Sequence, residues 1–255
     1  MIGPTIGPVG LPRSARVTFE VGPAGARIRE VVGLDAPHLP TAIELFREIF
    51  PEDVRYVPYL RACARQRSPD HPATLDHVWL VEVDGDFAGI RVFSYVHTRD
   101  VGHGAYVGLL EPYRGLGIGT WLVEQTLRQL YADAEAFGRP APLGYVVEVE
   151  PVDPAHREAD RRLAFHVQAG GVPLDVDYLE PPMIRGVSYI EPEQLTGVEP
   201  KPMELVFYPT RPDRQLGREE QIQIVEALIL DVYRLDRRDP LFQRAIESIR
   251  KKGEL

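Results

Sequence analysis

Two periodicities alternate along the chain and divide it into helices and strands. Between Leu39 and Phe50, apolar residues at Leu39, Ala42, Ile43, Phe46 and Ile49 recur three and four apart until Pro51, which predicts an amphipathic helix. A second, shorter helix is expected over Pro58–Gln66. The runs His77–Val83 and Phe87–Phe93 have strand character and flank Asp84-Gly85-Asp86, whose Asp-Gly pair favours a hairpin turn. Ala105–Leu110 reads as another strand, preceded by a short loop carrying His97 and His103, and it runs into a glycine-rich turn. Behind the turn, Val123, Leu127, Leu130, Tyr131 and Ala134 form the apolar stripe of a helix that Gly138 and Pro140 end.

Leu143–Val149 is then a buried strand, a helix opens at Asp153 or Pro154 and reaches Gln168, and Val172–Leu179 and Met203–Tyr208 supply two more strands. The intervening Glu180–Pro202 is proline-rich and is expected to be a long loop. From Arg218 onward Ile222, Val225, Ile229, Val232 and Leu235 mark a C-terminal helix, apolar over more than one face, and Asp239-Pro240 caps another. Residues 1–25 are rich in Gly and Pro, with strand character only at Arg16–Val21, ahead of a strand at Ile28–Val32. The order of elements predicts an α/β (α+β) fold with helices packed on a sheet.

Composition narrows the function classes. A chain of 255 residues with 44% hydrophobic and 26% charged residues is that of an ordinary folded protein. Its 29 basic against 38 acidic side chains give a net charge of −9, which disfavours non-specific binding to nucleic acid or to an anionic membrane. No run approaches the ~18 apolar residues of a membrane span. The single cysteine, Cys63, cannot bridge within the chain, and no Cys/His spacing resembles a metal site, so we expect no metal and a reducing, cytoplasmic setting.

The sharpest signal is Tyr113-Arg114-Gly115-Leu116-Gly117-Ile118-Gly119-Thr120, between a strand and a helix. Alternating glycines let the backbone approach a ligand closely, and the unpaired amides of the helix start favour an anion. A dinucleotide fingerprint would need glycine where Thr120 stands, and a Walker A loop would need Gly-Lys-Ser/Thr.

In these residues the sequence resembles the GNAT acetyltransferase superfamily, whose Arg/Gln-x-x-Gly-x-Gly/Ala loop is matched by Arg114, Gly117 and Gly119. The resemblance implies a GNAT-like fold, a mixed, mostly antiparallel central sheet of six to seven strands flanked by helices with a C-terminal helical extension, and an acyl-CoA co-substrate, most simply acetyl-CoA. It assigns the pyrophosphate to the amides of Arg114, Gly115, Leu116, Gly117, Ile118, Gly119 and Thr120, with Arg114 adding charge, and the pantetheine arm to Leu109 and Leu110. It also implies a splay between the fourth and fifth core strands, with the amide near Leu110 as oxyanion donor. Downstream, Phe165-His166-Val167-Gln168-Ala169-Gly170-Gly171 fits the frame of the family's Phe-Tyr-x-x-x-Gly-Phe segment, with His166 in place of the tyrosine acid. The implied units are an irregular arm (1–26), a GNAT-like acyltransferase domain (27–212) and a helical extension (213–255) packed on the core or on a partner in a homodimer.

Acyl transfer from a thioester to an amine needs a base for the amine and an acid for the thiolate. By period-two alternation Glu148 and Glu150 share one face of their strand, opposite Tyr145, Val147 and Val149, which makes Glu148 the candidate base and His166 the candidate acid. The expected activity is acyl-CoA-dependent N-acylation of a primary amine by direct attack, the acceptor being a small molecule or a peptide. A non-catalytic acyl-CoA-binding module is the alternative. The acceptor pocket is expected between the first two helices, the Thr98–His103 loop and the Glu180–Pro202 segment.

Overall fold

The Asp84-Gly85 pair turns the chain as its sequence predicts, both residues taking positive φ (52° and 91°), the geometry of a two-residue hairpin connection. The flanking strands β2 (Thr74–Val83) and β3 (Asp86–Val96) pair antiparallel along their length. In the computed structural model, which describes residues 17–152, 157–182, 187–188, 198–211 and 216–251, β1 (Arg27–Glu30) adds to β2 and β4 (Val101–Leu109) adds to β3, both antiparallel. A crossover through helix α3 (Ile118–Ala136) brings β5 (Gly144–Val149) parallel to β4. Strands β6 (Val172–Leu174) and β9 (Glu204–Pro209) complete a seven-stranded, mostly antiparallel sheet in the order β1-β2-β3-β4-β5-β9-β6.

Alternation along the strands gives the sheet two apolar faces. Helices α1 (Leu39–Ile49) and α2 (Val57–Ala64) cover Val78, Leu80, Ile90 and Val92 on one face. The other half of that face, Val96, Val101, Val146, Leu205 and Phe207, is covered by the C-terminal helices α5 (Arg218–Glu226), its π-helical continuation Ala227–Val232, and α6 (Pro240–Lys251). The extension therefore packs on the core of its own chain, which accounts for its apolar residues on more than one face. On the opposite face lies α3, with partly buried Leu163 and Phe165 of α4 (Arg157–Gln168), over Trp79, Phe93, Tyr145, Val147 and Tyr208.

Three sequence expectations are corrected. The strand expected to begin at Ala105 begins at Val101, so His103 is not in a loop but inside β4, and only Thr98–Asp100 remain in the connection after His97. Val101 and Gly102 form sheet because β3 and β5 supply partners on both sides. Val172–Leu179 is not one strand: after β6 the chain leaves the sheet, and β7 (Leu179–Glu180) pairs with β8 (Lys201–Pro202) in a separate ribbon at the ends of the proline-rich segment. Val17–Gly22 has no strand structure; residues 1–16, 153–156, 183–186 and 189–197 lie outside the described residues.

Candidate active site

β4 and β5 pair only from Val101↔Gly144 to Gly104↔Val147. Beyond Gly104, β4 keeps its β3 partner but among the described residues has none on the β5 side, so the sheet opens between the two strands. A bulge marks the place: pairing with β3 jumps from Val92↔Tyr106 to Phe93↔Gly104, which leaves Ala105 as the extra residue. The Leu110 amide donates to the Ala88 carbonyl at 2.8 Å. Counting back by alternation, the amides of Leu109 and Val107 point away from β3 toward the opened edge. Among the described residues the Leu109 amide thus has no strand acceptor and is open to a ligand, whereas the Leu110 amide is spent on β3 and is not an oxyanion donor.

The glycine turn follows. Gly115 and Gly117 have φ of +77° and +80°, a region that costs a side chain roughly 1–2 kcal/mol. Among the described residues a Cβ on Gly115 would meet nothing within 4 Å, and one on Gly117 would meet only Pro23, at 3.6 Å. Space for close approach is therefore present above the turn. Gly117 is the N-cap of α3, no side chain caps it, and the first helical backbone bond runs from Trp121 to Gly117 at 3.2 Å. The amides of Ile118, Gly119 and Thr120 consequently have no helical acceptor. Arg114, exposed, anchors the turn by donating from Nε to the Leu109 carbonyl at 2.9 Å. Leu116 is exposed while Ile118 is buried in the core, and Gly119 lets Phe165 of α4 pack at 3.0 Å from where a Cβ would stand.

On the opposite face, where the α1/α2 half meets the C-terminal half, lies a cleft of about 290 Å³. Phe50, Tyr56, Tyr59 and Tyr106 form an aromatic wall, and Asp53, Glu148, Glu150 and Glu180 bring carboxylates, Glu150 being paired with Arg162. Glu148 sits at the splay. Tyr178 Oη donates to its Oε1 at 2.6 Å, His103 Nε2 to its Oε2 at 3.2 Å, and Tyr233 Oη lies 3.1 and 3.0 Å from its two oxygens. Tyr233 Oη is also 3.1 Å from Glu180 Oε1. Burial, and then the charge of Glu148, push Glu180 up to about 8. Burial raises Asp53, and burial followed by Glu148 raises the hydroxyls of Tyr178 and Tyr233.

His166 does not line this cleft. It is buried on the α4 face, its Nδ1 2.7 Å from Tyr208 Oη, and burial together with the charge of Arg91 lowers it to about 4. An imidazole so held is neutral at pH 7 and has no extra proton to give. Sequence reasoning missed Arg91, which is buried behind the splay: Nη1 donates to the Tyr106 carbonyl at 3.1 Å, the guanidinium lies 5.0 Å from the Tyr145 ring, and burial lowers it to about 9. Its signal was a single arginine inside the apolar run Ala88–Phe93. The expected pocket loop is also displaced, since Thr98 and Arg99 bond to Asp231, away from the cleft. Folding gathers Cys63, His71 and Asp76 with ligand atoms within 4.8 Å of one another. Two of the three are already bonded, however: His71 Nδ1 is 2.9 Å from Asp76 Oδ2, and Ser94 donates to Asp76 Oδ1 at 2.7 Å.

Comparison with known proteins places this geometry. Residues 39–139, from α1 through the glycine turn and α3, match the acetyltransferase (GNAT) family. The family read from the turn is thus the one found over this stretch. A solved protein from Bacteroides thetaiotaomicron, assigned as a GNAT-family acetyltransferase, is similar over 82% of this chain and 99% of its own, with 22% identity and a TM-score of 0.55, and shows the same fold. A GNAT-family acetyltransferase from Staphylococcus aureus is similar over 72% of this chain and 99% of its own at 12% identity, with a TM-score of 0.46. One from Elizabethkingia anophelis, solved with acetyl-CoA bound, covers 72% and 97% at 16% identity, with a TM-score of 0.42. No curated protein matches the chain. No helix among the described residues is long and apolar enough to cross a membrane.

Proposed function

We propose that this protein is an acyl-CoA-dependent N-acyltransferase, using acetyl-CoA, that acylates a cationic primary amine by direct attack. The observation that carries the reading is the opened sheet between β4 and β5, which joins the uncapped glycine turn on one face to the carboxylate-lined cleft on the other. The turn residues Arg114–Thr120 fit the diphosphate of coenzyme A: amides without a helical acceptor at a helix start, positive-φ glycines and, among the described residues, only Pro23 near the turn. Leu109, with its amide on the free edge of β4, fits the amide-bearing pantetheine arm. The thioester then lies at the gap, and the acceptor enters from the cleft, whose aromatic wall suits an apolar body and whose carboxylates suit an ammonium. The oxyanion falls to an amide of the opened β4 edge near the Ala105 bulge rather than to Leu110. No step calls for a metal.

Calorimetry with acetyl-CoA tests the coenzyme half of the reading. The wild-type protein is expected to bind saturably, and Gly117→Glu, which places a side chain at φ +80° and a carboxylate over the turn, to lose binding at least ~100-fold. Equal affinity of the variant would remove the turn from the site. Thiol release with a panel of primary amines tests the enzymatic half; coenzyme binding without turnover across the panel would point to a non-catalytic acyl-CoA-binding module instead.

A further inference from the structure

We propose that Glu180, rather than Glu148, takes the proton from the acceptor's ammonium, with Tyr233 as the positioning residue that bridges the two carboxyls. The inference rests on the acyltransferase reading and deepens it. The oxygens of Glu148 are committed: Oε1 receives the Tyr178 hydroxyl, Oε2 receives His103 Nε2–H, and Tyr233 lies within hydrogen-bond distance of both. A carboxylate whose oxygens already accept several donors has few lone pairs left to meet an ammonium. Glu180 has one such contact, Tyr233 Oη to Oε1 at 3.1 Å, and among the described residues no donor reaches its Oε2. It lines the same cleft, part-exposed, from β7.

The bridge comes from the C-terminal segment, outside the family match. The Tyr233 amide donates to the Leu228 carbonyl at 2.8 Å, five residues back, so the last turn before it is π-helical. Arg234, next in the chain, takes φ of +59° and donates to the Asp70 carbonyl at 3.1 Å. A widened turn followed by a left-handed residue is the kind of local strain that is kept where a side chain must be aimed. Tyr233 has one hydroxyl proton for two carboxyls, so the pair is most stable when it shares a proton. Facing Glu180 are Glu148 of β5, Tyr178 of its own stretch, Tyr233 of the C-terminal segment, Lys201 across the ribbon, and Asp53 and Tyr56 from the turn before α2. Lys201 opposes the carboxylates but does not cancel them, and Glu180 remains raised to about 8, where a base is matched to an alkylammonium.

The step balances. Once the shared proton has left and Glu180 is ionised, at the alkaline end of its titration, R–NH3⁺ passes one proton to the Glu180 carboxylate, and the nitrogen lone pair attacks the thioester carbon to form the C–N bond. Collapse breaks the C–S bond with its electron pair going to sulfur, and the nitrogen's second proton neutralises the thiolate. The products are R–NH–CO–R′, coenzyme A thiol and protonated Glu180, which loses its proton to solvent through the cleft.

The test combines infrared titration with pH–rate profiles on the full chain. Between about pH 6.5 and about pH 9.5, the wild-type protein is expected to lose a protonated-carboxyl band that E180Q lacks and E148Q shifts to lower pH. With acetyl-CoA and phenethylamine as probes, E180Q should lower kcat about 10²–10⁴-fold while KM for acetyl-CoA stays put. Glu148→Gln should lower kcat less and move the ascending limb to lower pH, and Tyr233→Phe should move the limb with acetyl-CoA affinity kept. A titrating band that survives in E180Q, or a larger kcat loss in E148Q than in E180Q, overturns the proposal. Failure of wild-type acetyl-CoA binding is a separate result, which overturns the acyltransferase reading itself.

Discussion

Replacing His77 with phenylalanine removes the one cation from a buried ion triad that ties the sheet to the helix of the glycine turn. His77 on β2 donates from Nδ1 to Glu30 of β1 at 2.7 Å and from Nε2 to Asp133 of α3 at 2.9 Å, and the imidazole and Asp133 side chains are fully buried. Burial alone would strip the charge from the ring, but Asp133 and Glu30 overcome it and hold His77 up at about 10, from an ordinary 6.5. At about 1.4 kcal/mol per pKa unit, that rise corresponds to roughly 5 kcal/mol of coupling to the folded state. Deleting one partner of a buried pair costs about 3–5 kcal/mol by an independent route, because it leaves the other charge unpaired. The ring's stacking on Phe93, at 4.6 Å, is one that phenylalanine can keep, so the loss reports charge rather than packing. A folded pKa raised above the unfolded one gives stability that is complete below about pH 6.5 and is lost as pH rises through about 10. Urea unfolding of wild type and His77→Phe should therefore differ by about 3–5 kcal/mol near pH 6.5, with the gap closing toward pH 10. A gap below about 1 kcal/mol, or one that does not change with pH, would show that the triad is not charged in the folded protein.

Two further outcomes follow from the site. His166→Phe removes the contact with Tyr208 from a ring already neutral at pH 7, so it should cost about 1 kcal/mol of stability and change thiol release less than about threefold; a loss above about a hundredfold would return His166 to the chemistry. Cys63 is fully buried and its thiol is pushed well up by burial and then by Asp76, so a thiol reagent should leave the native protein unlabelled and react only once denaturant is added. Stoichiometric labelling without denaturant would contradict that burial.

What the sequence determined by itself is local. The hairpin at Asp84-Gly85, the α1 stripe, and the strand, glycine turn and helix from Ala105 to Ala134 are each encoded within a few residues of one another, by turn chemistry and by period. The resemblance to the family whose model matches residues 39–139 could be read from Arg114, Gly117 and Gly119 for the same reason, since a helix start and the glycines that open it are one continuous segment. Alternation also put Glu148 of β5 and Glu150 just past its end on one side, and both line the cleft. The partners of Glu148 had no such signal. His103, the stretch holding Tyr178 and Glu180, and Tyr233 are three separate segments, Tyr233 lying 85 positions away in the chain. His103 was hidden by two flanking glycines that resemble a loop, until strands on both sides made them sheet. Only the tertiary structure decided which carboxyl is committed and which is available, because that depends on how many donors converge on each oxygen, and convergence across the sheet is set by strand order and by how the C-terminal helices pack against it.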